Sequence, residues 1–322
     1  MANPNSSYGE LLTTTLDNYR ESGELSDNIL NHSPLLARLN RKGNVDPATG
    51  GAKLLENLMY AENGTSLWYS GYEELDVSAS DVLTSANFDW KQFNVNVTMS
   101  GLEEMQNSGK AAVHNWLKAR IRVAEITAKN AVAAALFYSN TENGGKSIGG
   151  LQHLVQDDPT AASTVGGIAQ SSNSWWRNQF YDFSTETVTA SATTIVHAMN
   201  EIHRRCIRGT DKPDFWVAGG TYFTYFEESM QPNQRFMSQS EGEVGFQSYK
   251  YKGGDVFYDE NCANTRIYAL NTDYVFLRPY VDKNFVTMKE RMAVNQDATV
   301  VPMLWGGNMT ISNRQLNGVI CA

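Results

Sequence analysis

Gly145-Lys146-Ser147 matches the last three positions of a phosphate-cradling loop, in which backbone amides, a lysine and a hydroxyl surround a polyphosphate and its magnesium. The match stops there. That loop carries a glycine five positions earlier, where this chain has Asn140, and it follows a strand, whereas a long helical pattern precedes this segment. The run reads as a linker whose paired glycines reverse the chain. His197, Glu201 and His203 have the residue types of a metal site, and His197 and Glu201 share a helix face. At about 100° per residue, His203 lies nearly opposite Glu201, so the three do not converge. Cys206 falls on an apolar helical stripe and reads as a small buried hydrophobe.

Cys262 is the remaining nucleophile candidate, because Asp259 and Glu260 stand beside it in "YDENC". Neighbouring carboxylates disfavour the thiolate that such chemistry needs, and the segment reads as a turn between strands. Gly219-Gly220-Thr221, between a strand and a helix, could offer amides to an anion but lacks a third glycine and a basic side chain. Thr221 as a helix cap explains it. The acidic pairs Asp157-Asp158 and Glu103-Glu104 fall at a loop and a helix start, where acids are common without catalysis. The enzymatic alternative these residues leave is a cytoplasmic hydrolase centred on Cys262 and its neighbouring acids.

The elements that would have to position such groups are those of a folded chain. Of 322 residues, 41% are hydrophobic and only 19% charged, too much bulk and too little charge for disorder. The formal charge of -9 gives no general attraction to a phosphate backbone. No apolar run approaches the roughly 18 residues of a membrane span. The opening "MANPNSSYGELL" has neither the basic end nor the apolar stretch of a secretory signal. The 3 cysteines are odd in number and far apart, which fits a reducing compartment.

The first forty-odd residues hold helical patches at Tyr8 to Tyr19 and Leu35 to Leu39, too few to form a core alone. Lys53 to Ser100 reads as a long two-stranded excursion. Phe88, Trp90, Phe93, Val95, Val97 and Met99 fall in period-two alternation near its end, and Trp68, Tyr69 and Tyr72 lie in its middle. Such a hairpin is marginal alone and needs a partner surface. From 103 to 138, Val113, Leu117, Ile121, Ala124, Ala128, Ala131 and Ala135 trace one stripe of a long helix, with Glu125 and Lys129 spaced as an i,i+4 pair. A second helix is predicted from about Ser191 to Arg208 and a third from Thr221 to Met230. A buried strand covers Phe215 to Ala218, and a mainly β region follows. Helices and strands segregate along the chain, so the class is α+β.

This order of elements, with "GGLQHLVQDDPT", "NSWWRNQ", "GGDVFYDENC" and "RIYALNTDYVFL", resembles the major capsid (coat) proteins of tailed bacteriophages, the Hong Kong 97-like fold. The resemblance implies residues 1–50 as an N-terminal arm, 51–102 as the extended β-hairpin loop and start of a peripheral domain, and 103–145 as spine helix and linker. It implies 146–280 as an axial domain and 281–322 as terminal strands returning to the peripheral domain. It implies a structural protein without catalysis or cofactor, assembled in the bacterial host cytoplasm into hexamers and pentamers of an icosahedral virion head around double-stranded DNA, bound without sequence specificity. Its other partners would be a separate scaffolding protein, a portal protein and a decoration protein. Trp68, Tyr69, Tyr72 and Trp90 are the expected inter-subunit contacts. A minor virion or decoration protein is the alternative within the same class. The lysine-to-asparagine cross-link of some relatives maps onto neither Lys53 nor any asparagine here.

Overall fold

The computed structural model describes residues 33–101, 112–230, 248–289, 291–292 and 295–322. The expected helical patch at Tyr8 to Tyr19, the acidic pair Glu103-Glu104 and the start of the long helix lie outside the described residues. In chain order the helices are α1 (Pro34–Lys42), α2 (Ala112–Ala135), α3 (Ile195–Arg205) and α4 (Gly220–Met230). The strands are β1 (Leu54–Met59), β2 (Leu83–Phe88), β3 (Lys91–Ser100), β4 (Gln179–Asp182), β5 (Phe215–Ala218), β6 (Ser248–Tyr251) and β7 (Gly254–Tyr258). They continue with β8 (Ile267–Leu270), β9 (Val275–Pro279), β10 (Val286–Thr287), β11 (Arg291–Met292), β12 (Ala298–Ile311) and β13 (Gly318–Cys321). Among these residues the chain forms two compact units: one from Phe93–Ala131 and Phe285–Trp305, the other from Ser33–Gln92, Val132–Asn284 and Gly306–Ala322.

The larger unit is built on a six-stranded sheet of order β4-β13-β8-β5-β7-β6. β13 runs parallel to β4 and β5 parallel to β7; the other pairs are antiparallel. β5, β8 and β13 are buried at every residue, as expected of central strands covered on both faces. β13, the last strand of the chain, inserts between β4 and β8, a position that sequence order does not suggest.

α3 lies on this sheet through Ile195, Ala198, Met199 and Ile202, the stripe its 3.6-residue period predicts, continued by Cys206 beyond its end. The helix and sheet come very close at Gly318, where a β-carbon would fall 2.9 Å from Ile202 Cγ2 and 3.0 Å from Cys206 Sγ. Trp216, Tyr222, Phe226 and Tyr251 complete the core.

Two polar devices fix the segments around that core. Arg314 is fully buried. Its Nε donates to Leu154 O at 2.7 Å, Nη1 to Gln170 Oε1 at 3.0 Å and Trp176 O at 2.9 Å, and Nη2 to Asn178 Oδ1 at 2.9 Å. Burial pulls its pKa down to about 9, so the guanidinium is charged at neutral pH with four neutral oxygens as partners. Its plane also lies over the Trp176 ring at 5.7 Å. The second device is Asp214, which accepts from Thr272 N at 2.8 Å, Thr272 Oγ1 at 2.7 Å, Lys42 Nζ at 2.9 Å and Arg38 Nη2 at 3.2 Å. It ties α1 to the turn between β8 and β9, while Leu35 and Leu39 bury α1's apolar side.

The smaller unit is a sheet and a helix. β3 pairs with β12, which also pairs with β10 and β11. Along β3, Phe93, Val95, Val97 and Met99 turn inward and their neighbours outward, the alternation read from sequence. Val97 packs with Ala124 and Ala128 of α2 and with Val301 and Met303 of β12. Alanine at the contact positions lets helix and sheet approach closely. Glu125 and Lys129 are both exposed on α2, and among the described residues they form no ion pair, contrary to the spacing-based expectation.

Two stability predictions follow from the polar devices. Arg314→Ala strands Leu154 O, Gln170 Oε1 and Trp176 O, leaves Asn178 Oδ1 with only the Gln156 amide, and should cost roughly 3–5 kcal/mol in a urea unfolding titration. For Asp214, burial alone would raise the carboxyl, but hydrogen bonds from Thr272 and Lys42 outweigh it and hold the group below its ordinary value of 3.8. Its stabilising effect is therefore complete above the unfolded value and lost as pH falls through the lower folded one. The stability gap between wild type and Asp214→Asn should stay level from about pH 5 to 8 and narrow below about pH 4.

Candidate functional site: the exposed aromatic ribbon

The groups with chemical potential in the sequence are dispersed or sealed in the structure. Lys146 and Ser147 follow three residues in left-handed conformation, Asn143 at φ 53°, Gly144 at 66° and Gly145 at 77°. Lys91 Nζ donates to the Gly145 carbonyl, and Ser147 Oγ to Glu142 O at 2.9 Å, so the segment is a tethered chain reversal. His203 is buried against Trp216, whereas His197 is exposed and Glu201 pairs with Arg204 at 2.6 Å. Among the described residues no three His, Cys, Asp or Glu side chains gather as metal ligands.

All three cysteines are buried. Burial, reinforced by Asp259, pushes the Cys262 thiol far above its ordinary range. Its hydrogen faces Arg266 O at 3.7 Å. Burial likewise raises Cys206, and it pushes Cys321 up to about 12. Asp259 is itself raised by burial and accepts from Ser33 Oγ at 2.8 Å and from Asn261 N at 3.0 Å. Gly219 is a packing glycine, since a β-carbon there would overlap the Ala263 carbonyl. Asp157 pairs with Arg266, and Asp158 caps Thr160, whose side-chain hydroxyl and amide hold that carboxyl below the usual range.

The distinctive surface lies on the β1–β2 ribbon. The strands pair antiparallel from Leu54 with Phe88 to Met59 with Leu83. Among the described residues they pair with no other strand. Leu54, Glu56 and Leu58 face inward with Ala86 and Phe88. Glu56 is the unusual member, a carboxylate at an inward strand position. Arg278 of β9 grips it with two nitrogens, Nε at 2.5 Å and Nη2 at 3.1 Å, while Thr310 Oγ1 donates to it at 2.7 Å. The third nitrogen of Arg278 reaches Asp46. A bidentate, fully partnered pair is what allows such burial. At Gly166, whose φ is 61°, the carbonyl accepts from Asn87 N at 2.7 Å, fastening the root a second time.

Between the strands, Tyr60 packs on Trp175 with ring centroids 5.4 Å apart, and most of the residues from 62 to 81 are exposed. Trp68 is 103% exposed, Tyr72 106%, Val77 92% and Tyr69 64%. Leu55, Met59 and Leu83 extend the apolar surface down the outer face. Trp90 behaves differently. It is half-buried, its indole donates to Gly51 O at 2.9 Å, and it meets Tyr280 edge-on at 5.8 Å. Trp90 therefore braces the root within its own chain, and the outward-facing aromatic set is Trp68, Tyr69 and Tyr72. Exposed contiguous apolar surface on this scale marks an interaction site. Three large rings bury on the order of 500 Å², a major share of the roughly 800 Å² each partner contributes to a specific interface.

No protein-family model matches the chain, and no curated protein matches it significantly in sequence. Solved structures do. The capsid asymmetric unit of cyanophage A-1(L) matches with TM-score 0.69 at 13% identity, covering 92% of this chain and 94% of that one. The chain has the phage-capsid fold. The capsid of Myoviridae phage XM1 aligns over 94% of this chain and 95% of its own with TM-score 0.57 at 9% identity. The SrpI encapsulin complex of Synechococcus elongatus PCC 7942 aligns over 95% and 94% with TM-score 0.58 at 10% identity. The α+β, Hong Kong 97-like architecture expected from sequence is thus the architecture found. Among the described residues no helix is long and apolar enough to cross a membrane.

Arg278→Ala would leave Glu56 charged and without its main partner under the ribbon. We expect a loss of about 3–5 kcal/mol in chemical denaturation. Glu56→Gln/Arg278→Met together should recover much of it, because the buried charge is removed as well as its counter-ion.

Proposed function

We propose that this chain is the major capsid subunit of a tailed phage. Copies assemble through the ribbon into hexamers and pentamers of an icosahedral head that encloses double-stranded DNA. The observation that carries the proposal is the ribbon itself: three exposed aromatic rings on a two-stranded element that pairs with no further strand among the described residues, in a chain that follows the phage-capsid fold over 92% of its length. An element that is a liability in a monomer becomes a joint when a neighbouring subunit covers it. In this reading residues 1–50 are the arm, 51–102 the extended loop with its root, 103–145 the spine helix and linker, 146–280 the axial domain and 281–322 the terminal strands. The subunit resides in the virion after assembly in the host cytoplasm, helped by a separate scaffolding protein and joined to a portal and a decoration protein. The acidic composition, with formal charge -9, suits a wall from which packed DNA must later be released.

The protein acts structurally and performs no catalysis in this reading. The hydrolase alternative needs a reactive Cys262, and that thiol is buried and held protonated. A minor virion or decoration role would be separated by copy number in the particle. The structural match to an encapsulin complex gives an encapsulin-like assembly as a further reading, and packaged phage DNA in purified particles would decide against it.

Met59 and Leu83 are paired neighbours, so residues 60–82 can be replaced by a two-residue Asn-Gly turn without disturbing the root. Electron microscopy of the full-length wild-type chain, expressed with its neighbouring genes, should show shells or capsomer rings. The shortened chain should remain soluble and folded by circular dichroism yet form neither. Shells from the shortened chain would refute the ribbon's role.

A further inference from the structure

The segment that fails as a phosphate loop carries another chemistry. Three asparagines of the chain precede glycine: Asn63, Asn143 and Asn317. In such a pair the glycine nitrogen can attack the asparagine side-chain carbon, because no β-carbon on the glycine crowds the approach. Sequence ranks the three alike, and the fold separates them.

Asn317 is sealed. It is fully buried, its Oδ1 accepts from Asn271 N at 2.9 Å and its Nδ2 donates to Asn313 O at 2.7 Å. Its glycine, Gly318, is held in the sheet between Gln179 of β4 and Ala269 of β8. Asn63 is exposed but engaged, since its Oδ1 accepts from Thr65 N at 3.0 Å and from Thr65 Oγ1 at 2.8 Å. That Asx turn fixes the side chain in one orientation.

Asn143 is exposed, and among the described residues its side chain has no hydrogen-bond partner. Its backbone is left-handed, at φ 53° and ψ 35°, and a β-carbon at Gly144 would meet nothing within 4 Å. The bonds that tether the reversal fall elsewhere: Gly145 N donates to Thr141 O at 3.3 Å, Ser147 Oγ to Glu142 O at 2.9 Å, and Lys91 Nζ to the Gly145 carbonyl. None of them uses the Gly144 amide. Of the three pairs, this one alone combines an exposed, unpartnered side chain with an unclamped attacking nitrogen.

We propose that Asn143 is a self-modification site, where the Gly144 amide converts the asparagine to aspartate or isoaspartate. Gly144 N gives its proton to hydroxide and attacks Asn143 Cγ; the bond from Cγ to the side-chain nitrogen breaks, and that nitrogen takes a proton from water and leaves as ammonia. The product is a succinimide ring. Water then opens it: cleavage at Cγ gives aspartate, and cleavage at the main-chain carbonyl gives isoaspartate, whose backbone runs through Cγ and is one carbon longer. Water enters and ammonia leaves, with no oxidant, metal or cofactor. Each event writes a carboxylate two residues from the carbonyl that Lys91 grips. The isoaspartate form also lengthens the chain reversal itself. The inference is independent of the capsid reading, because the reacting atoms belong to one chain.

The full-length wild-type chain, incubated folded in mildly alkaline buffer, is sampled over time by peptide mapping with mass spectrometry, and isoaspartate is marked with a protein isoaspartate methyltransferase. Asn143 should convert about tenfold faster than Asn63, which must first release its two hydrogen bonds, and Asn317 should stay unmodified. The rate at Asn143 should rise in proportion to hydroxide, and ion exchange should resolve a growing acidic species. Asn143→Gly accepts the left-handed backbone, removes the side-chain amide and should abolish that species while leaving Asn63 unchanged. In urea the three sites should converge to within about threefold, since the preference belongs to the fold. Conversion of Asn63 or Asn317 as fast as Asn143 in the folded chain overturns the inference. So does an Asn143 that stays intact when folded but reacts in urea, or a preference for Asn143 that survives unfolding.

Discussion

The larger unit depends on one buried cation. Arg314 sits near the C-terminus, yet its four hydrogen bonds hold Leu154, Gln170, Trp176 and Asn178, positions spread over a loop-rich stretch with little regular structure of its own. Isolated backbone in such a stretch would have to be solvated. Here one planar fork supplies the donors instead, and the Trp176 ring shields it from water. Replacing hydration by neutral carbonyls is costly for a charge, so the arrangement holds only while every donor is matched. Conformational uniqueness over 154–178 is thus bound to the correct placement of the chain's last elements.

A comparable logic holds the ribbon. Glu56 and Arg278 form a buried ion pair at the root, and Thr310 and Asp46 complete its hydrogen bonding. Rigid roots with exposed tips divide labour between the two ends of one hairpin. The root is tied down by polar contacts, and the tip leaves its apolar rings exposed. The structural matches, all near one tenth identity, agree with this: fold survives where sequence does not, because fold is set by buried pattern and pairing, not by particular side chains.

Much of this was legible in the sequence, and its limits are physical. The β3 alternation, the α3 stripe and the buried Phe215–Ala218 strand are local periodicities that a one-dimensional reading captures. The exposed rings at 68, 69 and 72 were legible because nothing near them offered a core. Trp90 was not, since its partners Gly51 and Tyr280 are brought by other elements. Neither Arg314 nor Glu56 announced itself, because a charged residue reads as solvated until the fold supplies its partners. Cys262 was disfavoured in the sequence by its neighbouring acids, and the larger cause that raises its thiol, burial by distant residues, is visible only in the fold.

The placement of β13 has a consequence in time. A ribosome delivers β4, β5 and β8 well before Gly318–Cys321, so β4 and β8 lack the strand between them, and Ile202 and Cys206 lack their cover, until those residues emerge. At ordinary elongation rates that interval lasts on the order of seconds. A nascent chain therefore presents the exposed rings of the ribbon before its larger sheet is complete. Synthesis order thus leaves the apolar ribbon exposed before the strand that seals Ile202 and Cys206 has arrived.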